Sequence, residues 1–257
     1  MNLITDHMKR WVTGIALLVV ITIVGLIDNR TLMWAFLGVF YFIGFNEAKK
    51  MYNIDYPQAY VYATIIWICA YFYPNPNDLF FLFAIFLGGK IAFTQEHHKK
   101  NMLLPFLYPV AGFLFFLTLY QEYGIVWMFW LLVIVVITDV GAFVVGKSVG
   151  KTPFSKTSPN KTWEGVIGGI AFATVAGTIF GYFNSQISAG FFEALIISHL
   201  TAVGSVYGDL FESYLKREAG VKDSGTLLPG HGGVLDRVDG YLFGAVVMFI
   251  ALRAVYS

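Results

Sequence analysis

The stretch that decides the fold runs from residue 125 to residue 146 and reads IVWMFWLLVIVVITDVGAFVVG. Among its residues only Asp139 is charged. A helix of about 20 apolar residues is long enough to cross the ~30 Å hydrocarbon core of a bilayer. A transmembrane barrel would instead alternate apolar and polar residues in segments of about ten, and no such alternation occurs here. The stretch therefore predicts a membrane-spanning helix.

The rest of the chain has a matching composition. Of its 257 residues, 57% are hydrophobic and 13% are charged, whereas about a quarter of the residues in a soluble domain are charged. We therefore predict an all-α, polytopic helical membrane protein, a single integral membrane domain over residues 1–257, with five spans in residues 1–123 and four in residues 124–257. Helix breakers and charge clusters separate about nine transmembrane helices: Trp11–Ile27, Thr31–Phe45, Gln58–Tyr73, Leu79–Phe93, Met102–Tyr120, Ile125–Gly146, Trp163–Phe183, Ala189–Gly208 and Gly240–Tyr256.

The basic residues predict an orientation for these spans. Cytoplasmic loops of membrane proteins carry an excess of Lys and Arg. With nine spans and a cytoplasmic N-terminus, only Arg30 and Arg253 of the 17 basic residues lie on the outer side. A miscounted helix would scramble this separation. We therefore expect the N-terminus in the cytoplasm and the C-terminus outside.

Two inner segments are longer and more polar than a connecting turn requires. Residues 138–165 read TDVGAFVVGKSVGKTPFSKTSPNKTWEG, and residues 208–240 read GDLFESYLKREAGVKDSGTLLPGHGGVLDRVDG. Binding and catalytic residues are concentrated in such loops when a rigid scaffold holds them. Function is therefore expected at the inner face, within the C-terminal part of the chain.

A stripe of polar residues begins where the eighth span reaches the second polar segment. Its spacing places it on one helical face. One interpretation is an ordinary amphipathic helix end, in which a Glu212–Lys216 pair contributes only a few tenths of a kcal/mol. However, an ionised group at membrane depth costs ~2.5–3.5 kcal/mol, which favours a functional role. The stripe consists of Ser205, Asp209, Glu212, Ser213, Lys216 and Arg217.

The stretch between residues 228 and 239 combines glycines with aspartates. Glycines allow the backbone to approach a ligand closely, as in loops that bind phosphate. Asp236 and Asp239 are three residues apart at the start of the last span. They could cap that helix, or together with Asp209 and Asp223 they could hold Mg²⁺, which binds one or two carboxylates plus substrate phosphates. Both interpretations remain open.

The first polar segment follows Asp139, which lies near the end of the sixth span. The segment is rich in lysine and includes Lys147 and Lys161. These cations suit anionic lipid headgroups or nucleotide phosphates. Ordinary anchoring by basic residues at the inner membrane surface would produce the same pattern.

The run from Ser213 to Asp239 resembles the signature of the phosphatidate cytidylyltransferase (CDP-diacylglycerol synthase) family. The upstream GKTPFSKTSPNKTWEGVIGG is similar to that family's Ser-Pro-x-Lys-Thr block. The close resemblance covers Thr138–Asp239, and the plan of nine spans extends a looser one over the whole chain. The matching positions of the signature are Ser213, Lys216, Arg217, Lys222, Asp223, Pro229, Gly230, His231, Gly232, Gly233, Asp236, Arg237 and Asp239.

The resemblance implies transfer of CMP from CTP to phosphatidate, with release of pyrophosphate, in phospholipid biosynthesis. It implies a divalent metal on Asp209 and Asp236, with Ser213, Lys216 and Arg217 in the active site. Similar proteins also have a monovalent cation such as K⁺ beside Mg²⁺, and form homodimers. The partners expected are CTP, phosphatidate and the lipid bilayer, and no nucleic acid.

We expect the resulting candidate site to face the cytoplasm, in a multi-pass protein of the bacterial inner membrane. Its candidates fall into catalytic, substrate-binding and metal-binding groups. The catalytic group is Ser213, Lys216, Arg217, Asp223, His231 and Arg237. The substrate-binding group is Lys147, Lys161, Lys222, Gly232 and Gly233. The metal-binding group is Asp209, Asp236, Asp239 and Asp139.

The chemistry suits these residue types. The second pKa of a phosphate monoester is ~6, so the phosphate is largely ionised near pH 7 and is itself the nucleophile. The site must hold two polyanions together and neutralise charge at the α-phosphorus, as Mg²⁺, Lys and Arg do. A polyprenol kinase or a CDP-archaeol-type synthase would use similar carboxylates. A transporter is the alternative from another class, but here the charges crowd at one face and no inverted repeat occurs.

Overall fold

The structure is a computed structural model that describes residues 19–95, 101–227 and 232–256. Within these ranges it is all helical, with one isolated bridge between Pro153 and Thr162. This confirms the all-α prediction. The helices are α1 over the described residues 19–27, α2 (Arg30–Met51), α3 (Gln58–Phe72), α4 (Asp78–Thr94), α5 (Ala111–Tyr123), α6 (Ile125–Val149), α7 (Trp163–Phe183), α8 (Phe191–Glu218) and α9 (Leu235–Tyr256).

Six helices of the described chain are long and apolar enough to cross a membrane, which supports an integral membrane protein. α3 is apolar but has only 15 residues. The count of nine spans and the orientation of the termini therefore remain predictions. The start of the predicted first span lies outside the described residues. One of the six, Asn101–Tyr123, consists of α5 and the helical turns before it, including a π-helical turn at Phe106–Val110. The other five are Arg30–Met51, Ile125–Val149, Trp163–Phe183, Phe191–Glu218 and Leu235–Tyr256.

Two helices extend beyond the predicted membrane spans into the second polar segment. α8 continues past Gly208 to Glu218, as the helical spacing of the polar stripe predicted, and α9 begins at Leu235, before the predicted span start at Gly240. At 1.5 Å per residue, the 28 residues of α8 span roughly 42 Å. That length exceeds the ~30 Å hydrocarbon core. An apolar part over residues 191–208 can thus lie within the core while the polar end of the same helix extends beyond it.

The chain divides into two compact units. The first comprises the described residues up to Thr118 together with Glu218–Arg237. The second comprises Leu119–Arg217 and the described residues from Val238 onward. The described residues of the range 218–237, most of which lie between α8 and α9, therefore belong to the first unit.

The first unit has an aromatic core. The ring of Tyr41 stacks on Trp67 with centroids 4.5 Å apart, and Phe45 lies edge-on to Phe106 at 5.2 Å. The buried Tyr41 hydroxyl donates to the Ala63 carbonyl oxygen at 2.9 Å. Because buried hydroxyls need a partner, this bond fixes the position of α2 against α3.

Glycines allow the helices of the second unit to pack closely. A Cβ on Gly204 would lie 2.8 Å from a methyl carbon of Val247, and one on Gly208 would overlap the carbonyl oxygen of Asp239. Small residues at such contacts let helix backbones approach each other in membrane proteins. α8 and α9 are therefore in backbone contact beside two of the predicted metal ligands, Asp209 and Asp239.

Candidate active site

The centre of the site in the second unit is Asp209, which lies on α8 one turn after Ser205, the first residue of the polar stripe. Lys161, from the loop between α6 and α7, forms an ion pair with the Asp209 carboxylate. The Ser213 hydroxyl, one turn further along α8, donates to Asp209 Oδ1 at 3.4 Å. The fold thus brings together a predicted phosphate-binding lysine, a predicted metal ligand and a predicted catalytic serine.

Asp239 adds a second carboxylate to this region. The Gly240 amide donates to its Oδ1 at 2.8 Å. Asp209 and Asp139 both act on the Asp239 carboxyl electrostatically, as does the Lys161 ammonium. The carboxylates of Asp209 and Asp139 thus lie within electrostatic range of Asp239, with Lys161 as a cation nearby. Oxygen donors with an excess of negative charge are the ligands that Mg²⁺ prefers.

Close contact between α8 and α9 maintains this arrangement. A methyl group at Gly208 would overlap the Asp239 carbonyl oxygen and lie 3.0 Å from Phe243 Cβ. A backbone oxygen cannot rotate away, so the two helices would have to separate.

We expect Gly208→Ala to lower the detergent melting temperature and to reduce turnover, because overpacking of this kind typically costs about 1–3 kcal/mol. Thermal unfolding in detergent and initial rates with labelled CTP measure the two effects. Gly89→Ala is the matched control, since a Cβ at Gly89 meets nothing within 4 Å. Equal behaviour of the two variants would show that the contact at Gly208 does not hold the site together.

A glutamate fixes the loop that carries Lys161. The Glu164 carboxylate accepts hydrogen bonds from the Lys151 amide at 3.1 Å, the Thr152 amide at 3.2 Å and the Thr152 hydroxyl at 2.7 Å. The Phe154 amide in turn donates to the Lys161 carbonyl oxygen at 2.8 Å. The loop is thereby closed on itself immediately before α7 begins. This closure limits where the Lys161 side chain can reach.

Lys216, another predicted catalytic residue, forms an ion pair with Glu212, one turn earlier on α8. Glu212 has no exposed side-chain surface, and 13% of the Lys216 side chain is exposed. A buried pair of this kind differs from the exposed pair considered from sequence, because removing one partner leaves a buried charge uncompensated. Arg217 is exposed.

Other lysines of the prediction lie elsewhere. Lys147 is exposed and sits over the Phe143 ring, 5.5 Å from its centroid. Lys222 and Asp223 are exposed on the segment that belongs to the first unit, and so is Arg237. His231 lies outside the described residues.

In the first unit, Asp236 organises the glycine-containing turn before α9. Its Oδ2 accepts hydrogen bonds from the Gly233 amide at 2.7 Å and the Ser224 amide at 2.9 Å, and the Ser224 hydroxyl oxygen lies 2.9 Å from it. Gly232 has φ of +80°, and a Cβ there would lie 2.5 Å from Asp236 Oδ2. This position therefore requires glycine, for both its backbone conformation and its space.

The sequence prediction missed Glu47, which lies near the end of α2. Only 4% of this residue is exposed. Its carboxylate accepts hydrogen bonds from Val234 and Leu235 amides, both at 2.9 Å. The available signal was an acidic residue at the end of an apolar span, in the run FNEAKK.

Comparison with known proteins identifies the class of enzyme. The sequence model of the cytidylyltransferase family matches residues 8–255, so the chain belongs to that family. It is 46% identical to the phosphatidate cytidylyltransferase of Helicobacter pylori strain J99, over 95% of this chain and 91% of that protein. It is 41% identical to the enzyme of the same name from Haemophilus influenzae, over 86% of this chain and 78% of that protein. These matches confirm the resemblance found in the signature.

Proposed function

We propose that this chain transfers CMP from CTP to phosphatidate, giving CDP-diacylglycerol and pyrophosphate at the membrane surface. The observation that carries the proposal is the 46% identity to a phosphatidate cytidylyltransferase along 95% of the chain. The six long apolar helices suit a lipid substrate that stays in the bilayer. The polar end of α8 suits a nucleotide that arrives from water.

The reaction needs positioning and charge neutralisation. A phosphate oxygen of phosphatidate forms a bond to the α-phosphorus of CTP, and the bond from that phosphorus to the bridging oxygen of pyrophosphate breaks. In this proposal Lys161 holds phosphate charge next to Asp209, and Ser213 orients the Asp209 carboxylate. Lys216, held by Glu212, supplies a second cation on the same helix face. Such cations stabilise charge that develops during phosphoryl transfer.

The carboxylates would hold Mg²⁺. Asp209 and Asp239 are the candidates of the second unit, with Asp139 close enough to affect Asp239 electrostatically. Asp236, which belongs to the first unit, remains a proposed ligand as well. In the described ranges no group of three or more His, Cys, Asp or Glu side chains is placed to hold a metal ion. The proposed site therefore has one or two protein carboxylates, since Mg²⁺ can complete its shell with substrate phosphates and water. When bound, the ion would neutralise charge on the reacting phosphates.

The active site is proposed to face the cytoplasm, where CTP is available. Support comes from the separation of basic residues, which leaves only Arg30 and Arg253 on the outer side. The bacterial relatives fit a location in the inner membrane.

For this topology, single cysteines at Asn75 and Asn160 in a Cys69→Ala background are expected to react from opposite sides of the membrane. A membrane-impermeant maleimide applied to sealed, oriented vesicles before and after permeabilisation measures the accessible side. Labelling of both cysteines from the same side would contradict the assignment of nine spans.

The function is tested with CTP labelled in two positions. Purified protein is incubated with phosphatidate and either α-³²P-CTP or γ-³²P-CTP. A cytidylyltransferase transfers the α label into lipid and releases the γ label as pyrophosphate. A polyprenol kinase would transfer the γ label to its lipid and release CDP, so replacing phosphatidate with a polyprenol completes the comparison. An archaeol-phosphate substrate distinguishes the ether-lipid enzyme, and absence of label from every lipid would contradict all three enzyme assignments.

A further inference from the structure

The buried carboxylate of Glu47 lies near the C-terminal end of α2, where the helix dipole places negative partial charge. Glu47 is 4% exposed and stands four residues before the end of this helix. Burial of an ionised carboxylate is costly unless hydrogen bonds or cations compensate it. The helix macrodipole adds to that cost at a C-terminal end. Glu47 therefore requires compensation from another part of the first unit.

The compensation comes from the segment 218–237. Glu47 Oε1 accepts a hydrogen bond from the Val234 amide at 2.9 Å. Glu47 Oε2 accepts bonds from the Leu235 amide at 2.9 Å and the Ser224 hydroxyl at 3.0 Å. The two amides lie at the start of α9, where N–H groups lack partners within the helix and the macrodipole favours an anion.

Ser224 links Glu47 to Asp236. The Ser224 hydroxyl lies 3.0 Å from Glu47 Oε2 and 2.9 Å from Asp236 Oδ2. A hydroxyl has one hydrogen, so it donates to one carboxylate at a time. Asp236 Oδ2 already receives the amides of Ser224 and Gly233. By this count the hydroxyl hydrogen is directed to Glu47, and the Ser224 amide holds Asp236.

The backbone around Glu47 leaves no space for side chains. A Cβ on Gly225 would lie 2.5 Å from Glu47 Oε1, and one on Gly233 would lie 2.6 Å from the same oxygen. The beginning of the segment is also near α2. Burial, reinforced by the nearby Glu218 carboxylate, raises the pKa of the Tyr52 phenol, which places that carboxylate within electrostatic range of the end of α2. The hydrogen bonds to Glu47 anchor the segment at Ser224 and at residues 234–235, and its beginning lies near the same end of α2.

We propose that Glu47 is a positioning residue for the reaction. Its carboxylate fixes the turn formed by Ser224 and residues 233–235, and through Ser224 it sets the orientation of the Asp236 carboxylate. Its effect would be indirect, because both of its oxygens already accept hydrogen bonds from the segment 218–237. The inference rests on the proposed function only insofar as Asp236 serves the reaction, because the anchoring of the segment is independent of activity.

Glu47→Gln is the direct test. Glutamine has the same size, but it offers one acceptor oxygen and one NH₂ group. The NH₂ group must face either the Val234 amide or the pair formed by the Leu235 amide and the Ser224 hydroxyl, so at least one hydrogen bond is lost. Loss of a hydrogen-bond partner that orients a metal-ligating side chain typically reduces metal affinity or activity by about 10- to 100-fold. We expect a shift of this size in the Mg²⁺ concentration at half-maximal rate.

A second measurement does not depend on activity. Thr226 is exposed on the same segment. In a Thr226→Cys, Cys69→Ala background, Glu47→Gln should increase the rate of maleimide labelling at residue 226, because the segment loses its anchor. Asp55→Asn is the matched control, since Asp55 is an exposed carboxylate in the same unit. It should change neither the labelling rate nor the Mg²⁺ dependence.

Ser224→Ala keeps the test decisive if Glu47→Gln unfolds. It removes only the linking hydroxyl and should shift the Mg²⁺ dependence in the same direction. In the double variant the two losses should overlap rather than multiply, because both break the same connection. Multiplying losses would overturn the connection through Ser224. A lower melting temperature with unchanged Mg²⁺ dependence and unchanged labelling, relative to Asp55→Asn, would overturn the positioning role. Faster labelling in a protein that places no CMP on phosphatidate would retain the anchor and reject the proposed function.

Discussion

Asp209→Asn is expected to lower kcat/KM by about 10²- to 10³-fold, the size of effect seen when one group that stabilises transition-state charge is removed. Asparagine keeps the shape of aspartate and removes its charge. The variant would therefore weaken the ion pair with Lys161 and remove one of the carboxylates that act on Asp239. Initial rates of label transfer from α-³²P-CTP to phosphatidate, measured across a range of Mg²⁺ concentrations, give the effect.

Combination with Asp239→Asn tests whether the two carboxylates serve one site. If they do, the double variant should lose little more activity than the less active of the two single variants, because half of a metal site binds an ion poorly. Carboxylates that act independently would give losses that multiply. Asp55→Asn, which removes an exposed carboxylate, is the control for the change in charge. A single variant that keeps most of its activity at low Mg²⁺ would remove that aspartate from the proposed metal site.

Lys161→Met should reduce kcat/KM by about 100-fold, the lower end of the effect seen when one group that stabilises transition-state charge is removed, because Lys161 is partly exposed. Methionine keeps most of the length of the side chain without the ammonium group. The structure shows Lys161 paired with Asp209, so the variant would leave that carboxylate without this cation. Steady-state rates at varied CTP separate an effect on nucleotide binding from an effect on turnover.

Lys156→Met is the matched control for this prediction. Lys156 is an exposed lysine of the same loop, so its replacement changes the net charge of the segment equally. If Lys161→Met lost no more activity than Lys156→Met, Lys161 would be an ordinary surface cation. The lysines of this loop would then serve only to anchor the protein at the inner membrane surface.

The apolar runs of the sequence were sufficient to predict an all-helical membrane protein. The backbone N–H and C=O groups of a membrane-spanning helix bond to one another within that helix, so no partner from elsewhere in the chain is needed. Local composition alone therefore identifies such segments. The spacing of Asp209, Ser213 and Lys216 likewise predicted a shared helical face, and α8 confirms it. Family membership could also be read locally, from the run between Ser213 and Asp239, and the match over residues 8–255 confirms it.

The extents of α8 and α9 could not be predicted from hydropathy, although the helical spacing of the polar stripe predicted that α8 continues to Arg217. Both helices continue through polar residues, where hydropathy gives no signal. Tertiary contacts extend them: Gly208 allows the backbones of α8 and α9 to meet, and the Glu47 carboxylate binds the amides at the beginning of α9.

The partners of the charged residues were decided only by the tertiary structure. Lys161 and Lys147 were both predicted to bind substrate, yet Lys161 pairs with Asp209, 48 residues away, while Lys147 lies over the Phe143 ring. Glu47 and Val234 are 187 residues apart, so no local pattern could connect them. An ionised side chain contributes equally to the hydropathy and composition of a loop whatever its position in that loop. Its role depends on which charges and amides the fold brings within hydrogen-bonding distance, because electrostatic energy depends on separation and burial rather than on sequence position.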